Sequence, residues 1–203
     1  QTPARLFDGR GTCQAAGGSR MNERELIYDW NIIDYEIKRD SANHPHDVWF
    51  DDETLRDGLQ SPSARNPTIE QKIELIDYME RLGIQKVDLG LPGAGPFHVS
   101  HIDSMLTHMG ENGYDLRPGC AVRTVVGDIE PLVDLQAKHE RQIQASAFLG
   151  TSPIRQFAEG WTMERILSTA EKAVTFAVDN DIPVMFVTED TTRSKPEEIK
   201  AVY

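Results

Sequence analysis

Asp47-Val48-Trp49-Phe50-Asp51-Asp52-Glu53-Thr54-Leu55-Arg56-Asp57-Gly58 is the stretch on which the fold turns. Its first four residues read as a short apolar strand, and the chain then runs straight into charge. An open nucleotide-binding sheet would place a Gly-x-Gly-x-x-Gly turn after its first strand. The nearest approach to one, Gly93-Ala94-Gly95, lacks the third glycine and is followed by Pro96. Charged groups at a strand's end are instead the habit of a barrel of βα units, whose functional residues sit where strands pass into loops.

The chain beyond residue 47 repeats that arrangement. Short β-branched or apolar runs at 47–50, 87–91, 121–126, 143–149 and 183–187 alternate with segments of helical period. Thr68 and Gln71 form a capping-box pattern, Ile69, Ile73, Ile76, Met79 and Leu82 share one face, and Gly83 ends that helix. A second helix runs through Val99, Ile102, Met105, Leu106 and Met109 to about Gly110. Asp128 is expected to cap a short third helix, and the stripe from Met163 to Val178 makes a fourth and longest one; a fifth starts at Pro196. Strand and helix in alternation mean a parallel sheet. The charges fall after the strands: Asp52 to Asp57, Asp88, Arg123, Thr151-Ser152, and Glu189-Asp190 with Arg193. The fold class is therefore α/β, a (βα)8 TIM barrel of which about five βα units lie in this chain.

Composition narrows the functional classes. Among 203 residues, 21 Lys and Arg face 33 Asp and Glu, a net charge of −12, with no local basic patch to hold a phosphate backbone. Nucleic acid is excluded as a partner, and no apolar run is long enough for a membrane span. Two cysteines, Cys13 and Cys120, match no zinc pattern and no disulfide scaffold. A cytoplasmic setting is expected. Residues 1–20 carry no periodicity and no hydrophobic run, and read as a disordered or loose arm. Residues 21–46 are expected to pack on the barrel, and 47–203 to form the catalytic part.

Chemically, Arg56 and Asp57 set a guanidinium beside a carboxylate at a strand end. Such a pair can hold a divalent cation and an anionic or enolate oxygen. A surface ion pair is the plain alternative. Here the sequence resembles a family: Thr54-Leu55-Arg56-Asp57-Gly58 is similar to the signature of the metal-dependent TIM-barrel synthases and lyases with the Asp-Arg-Glu motif. They include 2-isopropylmalate, homocitrate and citramalate synthases and hydroxymethylglutaryl-CoA lyase. Gly83 to Pro92 resembles the second strand, with Asp88 where the family usually has Glu. Phe186 to Arg193 resembles the fifth strand.

The resemblance implies roles residue by residue. Asp57 would ligate a divalent metal (Mg, Mn or Zn), and Arg56 would bind the keto acid and steady its enolate oxygen. Asp88 and Glu189 would complete the catalytic set. Gln60, Arg123, Thr151, Ser152, Arg155 and Thr188 would contact substrate, with Arg155 close to the place of a pocket His in many members. The implied reaction is a Claisen condensation of acetyl-CoA, as co-substrate, with an α-keto acid, in a homodimer. A hydroxyacyl-CoA lyase is the alternative, favoured by Gly58-Leu59-Gln60. A non-catalytic barrel fragment needing a complementing chain is a third reading. The family's metal-binding His-x-His strand is not matched. The chain's own His44-Pro45-His46 precedes the first strand and is read as an approach segment. His98 and His101 are read as solvating a helix face, His108 and His139 as complementing helix ends, and Cys120 as a small buried hydrophobe.

Overall fold

The structure is a computed structural model that describes residues 48–203, together with Phe7–Asp8, Thr12–Gln14, Arg20–Asn22, Leu26 and Tyr28. It divides into two units. One comprises residues 40–148 and 169–187, the other 1–39, 149–168 and 188–203.

The first unit holds the main sheet. Its five strands are β4 (Asp51–Asp52), β5 (Lys86–Asp88), β6 (Arg117–Arg123), β7 (Gln144–Phe148) and β8 (Val184–Val187). They pair in sequence order β4-β5-β6-β7-β8, every neighbour parallel. Parallel neighbours that follow one another in the chain need a crossover between them. Helices α1 (Ile69–Leu82), α2 (Pro96–Glu111) and α3 (Val126–His139) make the first three. Helix α5 (Met163–Asp179) leads into β8. This is the order and sense of five successive units of a (βα)8 barrel.

Local chemistry explains the elements. At α1 the Thr68 hydroxyl accepts from the Gln71 N–H while the Gln71 side chain accepts from the Thr68 N–H at 2.9 Å. Gly83 stops the helix at φ 73°, a left-handed backbone that costs glycine little. Ile76 and Met79 of α1 meet Ile102, Met105, Leu106 and Met109 of α2 in one buried cluster. Val87, Leu89, Cys120, Val122, Ala145 and Ala147 fill it from the sheet. Fully burying such side chains contributes about 1.5–3 kcal/mol each for the larger ones. Cys120 is fully buried, as its reading as a small hydrophobe requires.

Several boundaries differ from expectation. The first strand pairs at Asp51–Asp52, whereas Val48, Trp49 and Phe50 stand 80%, 51% and 64% exposed. Its partner supplies the reason: Lys86 ion-pairs with Asp51, so a charged dipeptide suits that position. Strand β6 starts at Arg117, before the apolar run, because β5 pairs with Arg117, Pro118 and Gly119. Pairing overrides the poor strand propensity of Arg-Pro-Gly. Asp128 is not a cap. Val125 holds the N-cap position of helix α3 with no side-chain cap bond, and the buried Asp128 carboxylate turns back to Arg123.

The second unit contains α4 (Pro153–Glu159), which the sequence reading did not foresee, and α6 (Pro196–Val202), which it did. The Ser152 hydroxyl caps α4 through the Arg155 N–H, and Gly160 ends it at φ 64°. The same unit includes an antiparallel ladder of β1 (Phe7–Asp8), β2 (Thr12–Gln14) and β3 (Arg20–Asn22). These short backbone pairings fall mostly within residues 1–20, which were read as a loose arm. The Tyr28 N–H donates to the Arg193 carbonyl. The body of the 21–46 extension, with His44-Pro45-His46, lies outside the described residues. Among the described residues no helix is long and apolar enough to cross a membrane.

Candidate active site

Arg56 is the hub of the first unit's polar cluster. Leaving β4, the chain makes a tight turn in which the Arg56 and Gly58 N–H groups both donate to the Glu53 carbonyl. That turn buries Leu55 and points Arg56 back across the strand ends. Its Nε donates to Glu53 at 2.8 Å, its NH1 reaches Asp57 at 3.2 Å, and Nε lies 3.8 Å from Asp88 Oδ2. One guanidinium thus faces three carboxylates, using the fork geometry that only Arg has.

Asp88 ends β5 and is 2% exposed. Its Oδ1 accepts from the Gly90 N–H at 2.9 Å and the Ala121 N–H at 3.2 Å, while Oδ2 is buried without a hydrogen bond. Burial pushes this carboxyl up to about 7. The Gly90 and Ala121 donors and the Arg56 charge pull the other way, and Glu53 adds to the rise. Beside it the Cys120 thiol is pushed well up, by burial first and then by the Asp88 charge, so it stays protonated and inert.

Asp57 is exposed, and among the described residues its carboxylate pairs with Arg56 alone. One such carboxylate fits one position in the oxygen shell of a divalent cation. It does not make a site: among the described residues no three His, Cys, Asp or Glu side chains cluster as a ligand set. The donors described here therefore do not by themselves fit a resident metal.

Arg123, expected at substrate, is engaged by Asp128. Its Nε and NH2 each donate to that carboxylate at 2.7 Å, and its backbone N–H adds a third bond at 3.0 Å. Gly93 packs against the pair so closely that a Cβ there would lie 2.3 Å from the Asp128 carboxyl carbon. Gly93→Ala is accordingly expected to destabilise the chain by about 1–3 kcal/mol through overpacking. Urea unfolding checks it: an unchanged midpoint would mean that the Arg123–Asp128 clamp yields freely.

Of the remaining predicted residues, Thr151, Ser152, Arg155, Thr188 and Glu189 lie in the second unit. Thr151 and Ser152 are fully buried, and their N–H groups both donate to Asp190. The Ser152 hydroxyl donates to the same carboxylate, and Thr151 pairs with Ser194 at 2.7 Å. Arg155 reaches Glu189 at 3.1 Å over Gly150, where a Cβ would come within 2.7 Å of the Arg155 side chain. Thr188 is buried against Thr191. Gln60 is exposed on the turn after Arg56, and lines a cavity with it. Sequence reasoning missed three partners. Glu53 was signalled by its place three residues before Arg56, and Asp190 by its place beside Glu189. Asp128 gave no signal beyond its capping pattern.

His108 and His139 are half-buried in the last turns of α2 and α3 and pair with acids, at 2.6 Å from Asp77 and 2.8 Å from Asp103. His98 and His101 do not simply face solvent: both line the cavity beside Arg56.

A parallel βα sheet with an arginine–carboxylate hub where its first two strands end defines a TIM-barrel type of protein. The more particular assignment follows from comparison. The HMGL-like family model matches residues 47–203, and the chain belongs to that family. It is 28% identical over 184 residues to "Homocitrate synthase AksA" of Methanosarcina acetivorans, covering 90% of this chain and 42% of that protein. It is 30% identical over 159 residues to the protein of that name from Methanopyrus kandleri, covering 78% of this chain and 38% of that one. To "2-isopropylmalate synthase" of Streptococcus gallolyticus it is 32% identical over 152 residues, 73% of this chain and 28% of that protein. The chain thus spans less than half the length of these relatives.

Proposed function

We propose that this chain is part of an acyltransferase of the 2-isopropylmalate/homocitrate synthase type, joining acetyl-CoA to an α-keto acid. The observation that carries the reading is Arg56 held among Glu53, Asp57 and Asp88 where the first two strands end. A condensation of this kind develops negative charge on the keto oxygen as the new carbon–carbon bond forms. A guanidinium fixed in place before the reaction stabilises that charge without reorganising. Asp88, titrating at about 7, is suited to exchange a proton at neutral pH. Asp57 supplies one oxygen ligand for the divalent cation that the family resemblance implies, and a homodimer goes with the same reading. The names of the relatives, all synthases, support the synthase branch.

A lyase cleaving a hydroxyacyl-CoA is the second reading, and Leu59-Gln60 after Gly58 is the feature that favours it. Both readings are tested on the complete protein carrying this chain. Free-thiol release from acetyl-CoA is measured with a panel of keto acids, alongside cleavage of hydroxymethylglutaryl-CoA. Thiol release that depends on one keto acid supports the synthase. Cleavage without any such release overturns it in favour of the lyase.

A further inference from the structure

Glu53 meets Arg56 twice. Its backbone carbonyl accepts from the Arg56 N–H at 3.2 Å and the Gly58 N–H at 3.0 Å, which closes the turn after β4. Its side chain runs along the same turn to the guanidinium. There Oε2 accepts from Nε at 2.8 Å, and NH2 lies 2.7 Å from that same oxygen. One half-exposed carboxylate oxygen thus covers a whole edge of the fork. Asp57 accepts a single bond from NH1 at 3.2 Å. A guanidinium has five N–H donors, so at least one remains on NH1 and one on NH2 for an incoming oxygen. Glu53, Arg56, Asp57 and Asp88 all belong to the unit that holds the sheet.

Asp88 is the competitor for Arg56. Its Oδ2 is buried with no hydrogen bond among the described residues, and it stands 3.8 Å from Nε, too far for one. Nε carries a single proton, and Glu53 already accepts it. Arg123 shows what happens when no second carboxylate intervenes. The buried Asp128 closes on that guanidinium at 2.7 Å through both Nε and NH2. A buried, charge-assisted bond of that kind is stronger than a neutral one, and it consumes the cation. At Arg56 the same closure is held off. Three residues upstream on a turn that is already closed, Glu53 loses little freedom in reaching Nε first.

We infer that Glu53 is a positioning residue for the reaction at Arg56: by holding the Nε edge it keeps the guanidinium from closing on Asp88 and leaves the terminal N–H groups to a developing oxyanion. The reaction is that of the synthase reading, on which this rests; the clamp itself stands on the geometry. Asp88 feels the clamp. Burial raises its pKa most, the Gly90 and Ala121 N–H groups lower it, and the Glu53 charge raises it against the Arg56 charge. The other titratable group beside it, the Cys120 thiol of β6, stays protonated. Losing Glu53 therefore moves the Asp88 titration downward, and further still where Arg56 is released to close.

Glu53→Gln and Glu53→Ala are made in the complete protein that carries this chain. Both keep the backbone carbonyl that closes the turn. Thiol release from acetyl-CoA gives kcat and KM, and the side-chain carboxyl-carbon NMR signal of Asp88, assigned by its loss in Asp88→Asn, gives its titration midpoint. In Glu53→Ala kcat is expected to fall roughly 10- to 100-fold, the scale of a small misplacement of a reacting group, with the lesser change in KM. Glu53→Gln keeps an oxygen for Nε and should recover part of that loss. The Asp88 midpoint should drop below about 7 in both variants, and lower in Glu53→Ala. Wild-type kcat in Glu53→Ala would overturn the role. So would an Asp88 midpoint that does not move in Glu53→Ala, because Arg56 would then have no tendency to close. Failure of the synthase reading looks different: the wild type itself would release no thiol with any keto acid, while the Asp88 midpoint still fell in the variants.

Discussion

Arg56→Gln in the complete enzyme is expected to lower thiol release from acetyl-CoA by about 100- to 1,000-fold, the usual cost of losing one preorganised oxyanion donor. Gln keeps much of the side-chain length and one N–H-bearing head, so the turn closed by the Glu53 carbonyl should survive. What it loses is the charge and the fork. At present one guanidinium binds Glu53, touches Asp57 and faces the buried Asp88 together. Arg56→Lys should not restore the rate, because a point charge cannot meet three carboxylates in different directions. The loss should appear in kcat more than in KM if the charge acts on the developing oxyanion. Near-wild-type kcat in either variant, with an unchanged circular dichroism spectrum, would remove Arg56 from the chemistry and leave it a surface ion pair.

The fold was legible because its signals are periodic. The stripe from Ile69 to Leu82 gives a helix with those same ends, since a capping box and a left-handed glycine are local devices that need no neighbour. Strand ends are different. Whether Phe50 or Asp51 begins the ladder, and whether Arg117-Pro118-Gly119 joins it, depends on Lys86 and on strands far away in sequence. Helix α4 was missed because it is only seven residues long, too short to show a period.

Site residues were legible to the extent that the chemistry follows a strand end. Arg56, Asp88, Thr151, Ser152, Thr188 and Glu189 all come directly after strands or at their ends. Their partners were not legible. Arg123 looks like a free strand-end cation until Asp128 is seen to clamp it. Lys72 sits at a position in α1 that reads as ordinary helix surface, and only packing shows that the residue is 8% exposed. Burial of a charge is a tertiary property. It leaves no mark in a linear pattern.

Asp88 turns such burial into a measurable pH dependence. Its carboxyl is pushed up to about 7 in the folded chain, against 3.8 for an unperturbed Asp. Between those values the folded protein holds a proton that the unfolded chain has released. Stability from this group is therefore fully present below about pH 4 and falls as pH rises toward 7. Above that it levels off, lower by on the order of 4 kcal/mol. Other carboxylates, among them Asp77 and Asp103, are held down by their His and Lys partners and slope the opposite way. The readable quantity is thus the difference between wild type and Asp88→Asn. Asn keeps an oxygen for the Gly90 and Ala121 N–H groups, and puts a neutral amide where Oδ2 now stands unbonded. Urea unfolding should show little difference at pH 4 and a growing advantage for Asp88→Asn toward pH 8. A difference that stays flat with pH would mean that Arg56, 3.8 Å away, keeps the buried carboxylate ionised throughout. Asp88 would then steady Arg56 rather than exchange a proton at neutral pH.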